Sequence, residues 1–108
     1  MTVINFSKIN YKKKRDRVYY KSVTGKDSQI CLMKLEKGEK TDHSHENEQL
    51  GYVVSGEVDV FIGNETYTLK PGDAYYIPGN TRHGFHVKTE NPVEYIEVFT
   101  PPKPDNVY

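Results

Sequence analysis

Turn-forming residues recur at short intervals in the second half of the chain, and they limit the fold more than any other feature. Ser55-Gly56, Gly63-Asn64, Pro71-Gly72 and Pro78-Gly79 each interrupt a run of β-forming residues. Between the first two turns, residues 57–62 largely alternate polar and apolar side chains, which is the period of a half-buried strand. Strands at this spacing, with no helical period between them, predict an all-β sandwich or barrel.

Other apolar runs extend this pattern over most of the chain. Strands are predicted over residues 18–23, 29–36, 50–54, 65–69, 74–77 and 93–100, with a short edge strand over 3–6. Residues 84–87 continue the chain from His83. The basic run at 12–15 is interpreted as a solvated loop. The 108 residues are expected to form one domain, with N-terminal strands or an arm at 1–28, a barrel at 29–100 and an extended tail at 101–108.

Composition excludes several classes of partner. Lysine plus arginine and aspartate plus glutamate both number 15, so the chain has no electrostatic reason to bind nucleic acid or an anionic membrane. Cys31 is the only cysteine, so no internal disulfide forms, and we expect a small buried hydrophobic side chain there. The sequence has no apolar leader and no membrane-spanning run, so we expect a cytoplasmic location.

Three histidines and one glutamine form a candidate metal site. His43 and His45 are two residues apart, so in an extended strand both rings point to one face, which Gln49 shares if no bulge intervenes. His83 follows a turn that can bring it opposite them. An isolated His-x-His pair is more simply explained as surface histidines, but Gln49 and His83 favour a metal site inside a small barrel. Imidazole binds divalent zinc, copper, iron and nickel.

A site of three histidines and one amide oxygen carries no ligand charge. The bound ion would keep its full positive charge and polarise a carbonyl or acidify a bound water. Two positions of an octahedral ion would stay open for a hydroxy-acid or keto-acid. We expect one divalent transition metal ion, and nickel, manganese, iron, zinc and cobalt all remain open.

Two motifs resemble those of the cupin superfamily. They are Gly38-x4-His43-x-His45-x3-Gln49-x6-Gly56 and Gly72-x5-Pro78-x-Asn80-x2-His83. The resemblance implies a small single-domain cupin with a double-stranded β-helix (jelly-roll) barrel, a metal on the three histidines and residue 49, and frequent dimerisation. Two positions depart from the family pattern, because Gln49 replaces the usual glutamate and Asn80 the usual glycine. Asparagine tolerates the left-handed backbone better than most residues, so we expect the turn to survive.

Within the cupins, the chain is most similar to the pectin-degradation subfamily. The similar segments are residues 52–57, 76–78, 83–84 and 97–101. In that subfamily an acidic residue, a phenylalanine two residues on and a later basic residue lie beside the metal. Here these positions hold Glu97, Phe99 and Lys103, with glutamate in place of aspartate and lysine in place of arginine. The resemblance implies ring opening of 4,5-unsaturated uronates to a linear keto-sugar acid.

The resemblance implies a separate role in the reaction for each of these residues. Glu97 would move protons, Phe99 would pack against the sugar ring, and Lys103 or Arg82 would pair with the substrate carboxylate. Tyr95 shares the parity of Glu97 and Phe99 and would donate a hydrogen bond from the same face. Without the resemblance, Glu97 would be a satisfied polar group on a sheet face, and ordinary core packing would explain Phe99 and Tyr95.

Two other classes of function stay open. One is a different metal-dependent cupin enzyme, such as an oxygenase, an isomerase or a cyclase. The other is a cupin that binds a small molecule without turning it over. In each case the expected partner is a small sugar acid or keto-acid, and the flat strands and many tyrosines favour a homodimer.

Overall fold

The computed structural model describes residues 2–108, and their regular secondary structure is almost entirely β-strand. The strands are β1 (Lys12–Arg15), β2 (Val18–Thr24), β3 (Gln29–Leu35), β4 (Glu48–Ser55), β5 (Val58–Ile62), β6 (Glu65–Leu69), β7 (Ala74–Ile77), β8 (His83–His86) and β9 (Val93–Thr100). Two short 3-10 helices span Phe6–Lys8 and Pro104–Asn106. No helix within the described residues is long and apolar enough to cross a membrane.

The strands form two antiparallel sheets, which confirms the predicted all-β jelly roll. One sheet has the strand order β1-β2-β3-β9-β4-β7, and the other has the order β6-β5-β8. Period-2 alternation places one set of side chains from each strand in the space between the sheets. That core consists of Val18, Cys31, Met33, Leu35, Val53, Val58, Val60, Leu69, Phe85, Val87, Val93, Tyr95 and Phe99. Cys31 is fully buried in it, as expected.

The loop between β3 and β4 runs back along β8 and holds His43 beside His83. Lys40 and His43 form isolated bridges with His86 and His83. Between them, the Thr41 N–H donates to the Phe85 carbonyl at 2.9 Å. The histidine-bearing loop therefore behaves as an extra strand on the edge of β8. Asn80 has φ 60° in the turn before β8, the left-handed conformation expected of it.

The predicted edge strand at residues 3–6 is wrong. Asn5 instead caps the 3-10 helix Phe6–Lys8, and its side-chain oxygen accepts the Ser7 N–H at 2.9 Å. Asparagine side chains compete with sheet pairing by bonding to the backbone two residues on. That local bond decides the conformation here, because no neighbouring strand pairs with this segment.

The basic run is strand β1 and pairs with β2, although a solvated loop was expected. Lys14 is the residue that turns inward, and its ammonium lies 2.8 Å from Asp105 Oδ2 and 2.6 Å from Asn106 Oδ1. Its neighbours Lys13 and Arg15 remain on the exposed side. The inward lysine is tolerated because its charge meets an acid and an amide from the C-terminal segment.

The C-terminal segment was expected to be extended, but it folds back as the 3-10 helix Pro104–Asn106. Asn106 is only 1% exposed, and its carbonyl accepts a hydrogen bond from Ser22 Oγ at 2.5 Å. Proline favours the first turn of a helix because it has no N–H to leave unpaired. The residues that hold this segment in place are Lys14 on β1 and Ser22 on β2. They are far away in sequence, so the proline content of the segment alone did not reveal these contacts.

Gly84 provides a test of the contact between the histidine loop and β8. A Cβ at residue 84 would lie 1.8 Å from the Thr41 carbonyl oxygen, so Gly84→Ala must push the two chains apart. We expect it to lower the free energy of unfolding by about 3 kcal/mol. Gly63→Ala is the matched control, because its Cβ meets nothing within 4 Å and only its φ of 59° is strained. It should cost about 1 kcal/mol. Equal losses of stability in denaturant unfolding would contradict this packing.

Candidate metal centre

A pair of backbone hydrogen bonds brings the two histidine segments together. The His43 N–H donates to the His83 carbonyl at 2.9 Å, and the His83 N–H donates back at 2.8 Å. The ring of His45 lies 4.8 Å from that of His83 and 5.2 Å from that of His43, centre to centre. One nitrogen from each ring falls within 4.8 Å of the others. The three imidazoles therefore converge on one point.

Hydrogen bonds to carbonyl groups decide which nitrogen of two rings faces that point. Nδ1 of His45 lies 3.0 Å from the Asn47 carbonyl, and Nδ1 of His83 lies 2.8 Å from the Thr81 carbonyl. A carbonyl can only accept, so each Nδ1 carries the hydrogen and each Nε2 keeps a lone pair. His83 Nε2 is buried and has no hydrogen-bond partner among the described residues. An orphaned buried lone pair of this kind is what a metal ion would satisfy.

Gln49 completes the site and is oriented by Glu97. Its amide nitrogen donates to Glu97 Oε1 at 2.7 Å, so its amide oxygen Oε1 points to His45 Nε2, 3.1 Å away. The Nδ1 hydrogen of His45 is already used, so two lone pairs face one another there. A cation between them removes that conflict. The donor set therefore fits a divalent ion held by three imidazoles and one amide oxygen.

The electrostatics of the site favour neutral imidazoles. Burial, followed by the neighbouring His83, lowers the pKa of His43 to about 4. Burial also lowers the pKa of His45 and of His83. The rings consequently stay unprotonated near neutral pH, which is the form that ligates metals.

Three of the predicted site residues on β9 line the same cavity. Glu97 is 3% exposed, and its burial raises the pKa of its carboxyl group to about 7. The ring of Phe99 lies edge-on to His45 at 5.9 Å between ring centres. Tyr95 is buried and stacks on Phe85 at 5.3 Å, so its ring is part of the core as well as of the cavity wall.

Lys103 reaches the cavity from the C-terminal segment. Gln29 holds its backbone through two hydrogen bonds, one donated to the Lys103 carbonyl at 3.1 Å and one accepted from its N–H at 3.3 Å. The ammonium lies 5.4 Å from the centre of the Phe99 ring. Burial and the nearby Lys14 lower the pKa of Lys103. No carboxylate of residues 2–108 lies within salt-bridge distance of it, which leaves a cation available to an anionic ligand.

Arg82 is the one predicted site residue that lies elsewhere. Its guanidinium forms two bonds to the Asp42 carboxylate, at 2.7 Å and 2.5 Å, and its side chain is 71% exposed. It immediately precedes His83, so period-2 alternation turns it to the opposite face of β8, over the ring of Phe61.

Three residues around the site were missed from the sequence. Tyr75 donates to Glu97 Oε1 at 3.1 Å, Lys14 lines the cavity, and the Asn47 carbonyl fixes His45. Only Tyr75 left a signal in the sequence. It is two residues from Ile77 on the short strand β7, so both side chains point to the same, inner face. Lys14 looked like one member of a solvated run, and a backbone carbonyl leaves no mark in sequence.

Known proteins resemble this chain in sequence and in fold. The sequence model of the cupin domain family matches residues 31–99 of this chain. The pectin degradation protein KdgF of Dickeya dadantii (strain 3937) is 32% identical over 93 residues, covering 83% of this chain and 84% of that protein. The structure of KdgF from a Halomonas species has a TM-score of 0.83 at 29% identity, covering 96% of both chains. An acireductone dioxygenase of Bacillus licheniformis is 32% identical over 78 residues, covering 68% of this chain and 44% of that protein. The chain therefore belongs to the cupin family.

Proposed function

We propose that this protein is a metal-dependent enzyme that opens the ring of a 4,5-unsaturated uronate to a linear keto-sugar acid. One observation carries the proposal: a buried carboxyl group, and a lysine with no salt-bridge partner among the described residues, line one cavity with His43, His45 and Gln49. An acid group that exchanges protons and a cation for a carboxylate are what ring opening of a sugar acid requires. The similarity to two proteins called KdgF, one of them named for pectin degradation, supports the same choice.

The ligands in this proposal are His43, His45, Gln49 and His83, which would hold one divalent ion. When bound, that ion would polarise the oxygens of the substrate and make its ring easier to open. The ligand set gives no reason to prefer one of nickel, manganese, iron, zinc or cobalt.

Other side chains of the cavity would transfer protons, pack against the sugar ring and pair with the substrate carboxylate. Glu97, with a pKa of about 7, can both take up and return a proton near neutral pH. Phe99 presents a ring beside His45 on which the sugar would pack. Lys103 would pair with the carboxylate, and it takes this role because Arg82 is already held by Asp42. The hydrogen bond from Tyr95 to the substrate stays a prediction.

The activity is tested by following the ultraviolet absorbance of a 4,5-unsaturated uronate. Metal-loaded protein should accelerate its loss beyond the spontaneous rate. Glu97→Gln should lower kcat by about a hundredfold or more, because it removes the group that exchanges protons. Lys103→Ala should raise KM by about tenfold, because it removes a charged partner of the substrate.

Lys88→Ala is the matched control for Lys103→Ala, because Lys88 is paired with Asp59 outside this cavity. Metal content should be unchanged in all three variants. No acceleration by metal-loaded wild-type protein would rule out the uronate reaction. Saturable binding of the uronate without turnover would instead indicate a binding protein.

We also propose that the protein is a homodimer formed through the outer face of the larger sheet. The strand register aligns Ile30, Val98, Leu50 and Tyr76 in one row across four strands. Leu32, Ile96 and Tyr52 form the next row. Ile30, Leu50, Tyr52 and Tyr76 are each 42–52% exposed. A contiguous apolar patch larger than about a few hundred Å² usually marks an interaction surface. A second copy would cover both rows with its own, as a twofold interface requires.

Light scattering coupled to size-exclusion chromatography tests this interface. The wild-type protein should have twice the mass of one chain, and Tyr52→Lys should dissociate it by placing a charge in the apolar patch. Tyr67→Lys is the control, because Tyr67 is 45% exposed on the smaller sheet. A monomeric wild-type protein, or a dimer that survives Tyr52→Lys, would contradict the proposal.

A further inference from the structure

Three residues form a row across the strands that support Glu97. Glu97 on β9 lies opposite Gly51 on β4, and Gly51 lies opposite Tyr75 on β7. Residues opposite one another on neighbouring strands are spaced so that their side chains touch. Glu97 and Tyr75 are two strands apart, so a side chain at the central position would ordinarily separate them.

Gly51 leaves that central position open, and the ring of Tyr75 fills it. A Cβ at residue 51 would lie 2.0 Å from Cζ and 2.3 Å from the hydroxyl oxygen of Tyr75. Any larger residue would therefore displace the phenol. With glycine there, the hydroxyl crosses β4 and donates to Glu97 Oε1 at 3.1 Å. The missing side chain at residue 51 thus permits a contact that spans a strand.

The two oxygens of Glu97 have different surroundings as a result. Oε1 accepts from the amide of Gln49 at 2.7 Å and from the hydroxyl of Tyr75. Within residues 2–108, no group donates to Oε2. Two donors at one oxygen fix the rotation of the carboxyl group and leave the other oxygen for an incoming ligand.

We propose that Tyr75 is a positioning residue for Glu97 and that Gly51 is the residue that makes this positioning possible. Tyr75 orients the carboxyl group so that Oε2 faces the substrate, while Gln49 donates a separate hydrogen bond to Oε1. The kinetic part of this inference rests on the proposed uronate reaction. The structural part does not, because it concerns only the orientation of Glu97.

Core packing is the competing explanation for Tyr75, whose ring also meets Phe85 edge-on at 5.9 Å between ring centres. Tyr75→Phe separates the two roles, because it keeps the ring and removes only the hydroxyl. If Tyr75 positions Glu97, this variant should lower kcat by about ten- to hundredfold. KM, metal content and the midpoint of thermal unfolding should stay near their wild-type values. Tyr67→Phe is the control, because Tyr67 is 45% exposed on β6 and does not line the cavity of Glu97.

A double-mutant cycle tests the part played by Gly51. Gly51→Ala should reduce kcat about as much as Tyr75→Phe, because the methyl group takes the place of the phenol. In a Tyr75→Ala background the phenol is gone, so adding Gly51→Ala should change kcat less than twofold. Unchanged kcat in Tyr75→Phe, or equal losses from Gly51→Ala in both backgrounds, would overturn the proposal.

Crystal structures of the metal-loaded wild-type protein and of its Tyr75→Phe variant provide a measurement independent of turnover. The carboxyl group of Glu97 should hold one orientation in the wild type and rotate or occupy several orientations in the variant. An unchanged carboxyl group in the variant would overturn the positioning role, even if kinetics changed. If the wild type does not act on the uronate, the proposed function fails, and this comparison still decides the role of Tyr75.

Discussion

The hydrogen bond from Gln49 to Glu97 is the interaction on which the chemistry of the site depends. An amide has one accepting and one donating end, and the carboxyl group takes the donating end at 2.7 Å. The oxygen end must then face Nε2 of His45. That nitrogen carries no hydrogen, because the hydrogen of the ring is on Nδ1, where it is donated to the Asn47 carbonyl. The same bond connects the proposed metal ligands to the group that we propose exchanges protons. Loss of Gln49 would alter both functions together, because it removes a proposed metal ligand and a donor to Glu97.

The fold supplies this bond through strand register. Gln49 lies opposite Phe99, two positions along the register from Glu97 on the adjacent strand, and both side chains are buried between the sheets. His83 arrives from the smaller sheet and is joined to His43 by two backbone hydrogen bonds. The proposed ligands therefore come from both sheets and are held by backbone pairing, which gives a more rigid site than loops alone would provide.

Much of this arrangement could be predicted from the sequence because its signals are local. Apolar runs, period-2 alternation and turn residues located seven of the nine strands, and the two histidine motifs indicated the proposed metal ligands. Residues 84–87, most of which form β8, were not assigned as a strand. The strand β1 was missed because four consecutive basic residues resemble a solvated loop. The residues that pair with Lys14 lie some ninety residues later in the chain, in a segment expected to be extended.

The bond between Tyr75 and Glu97 depends on the register of three strands and on the absence of a side chain at Gly51. None of these facts can be obtained from one segment.

A crystal structure of the metal-loaded protein, with anomalous scattering data at the absorption edge of the ion, tests the central claim most directly. We predict one strong anomalous peak about 2.0–2.3 Å from a ring nitrogen of each of His43, His45 and His83 and from the amide oxygen of Gln49. The Gln49 nitrogen should remain bonded to Glu97. A peak that Glu97 ligates in place of Gln49, or no peak between the three histidines, would contradict the account.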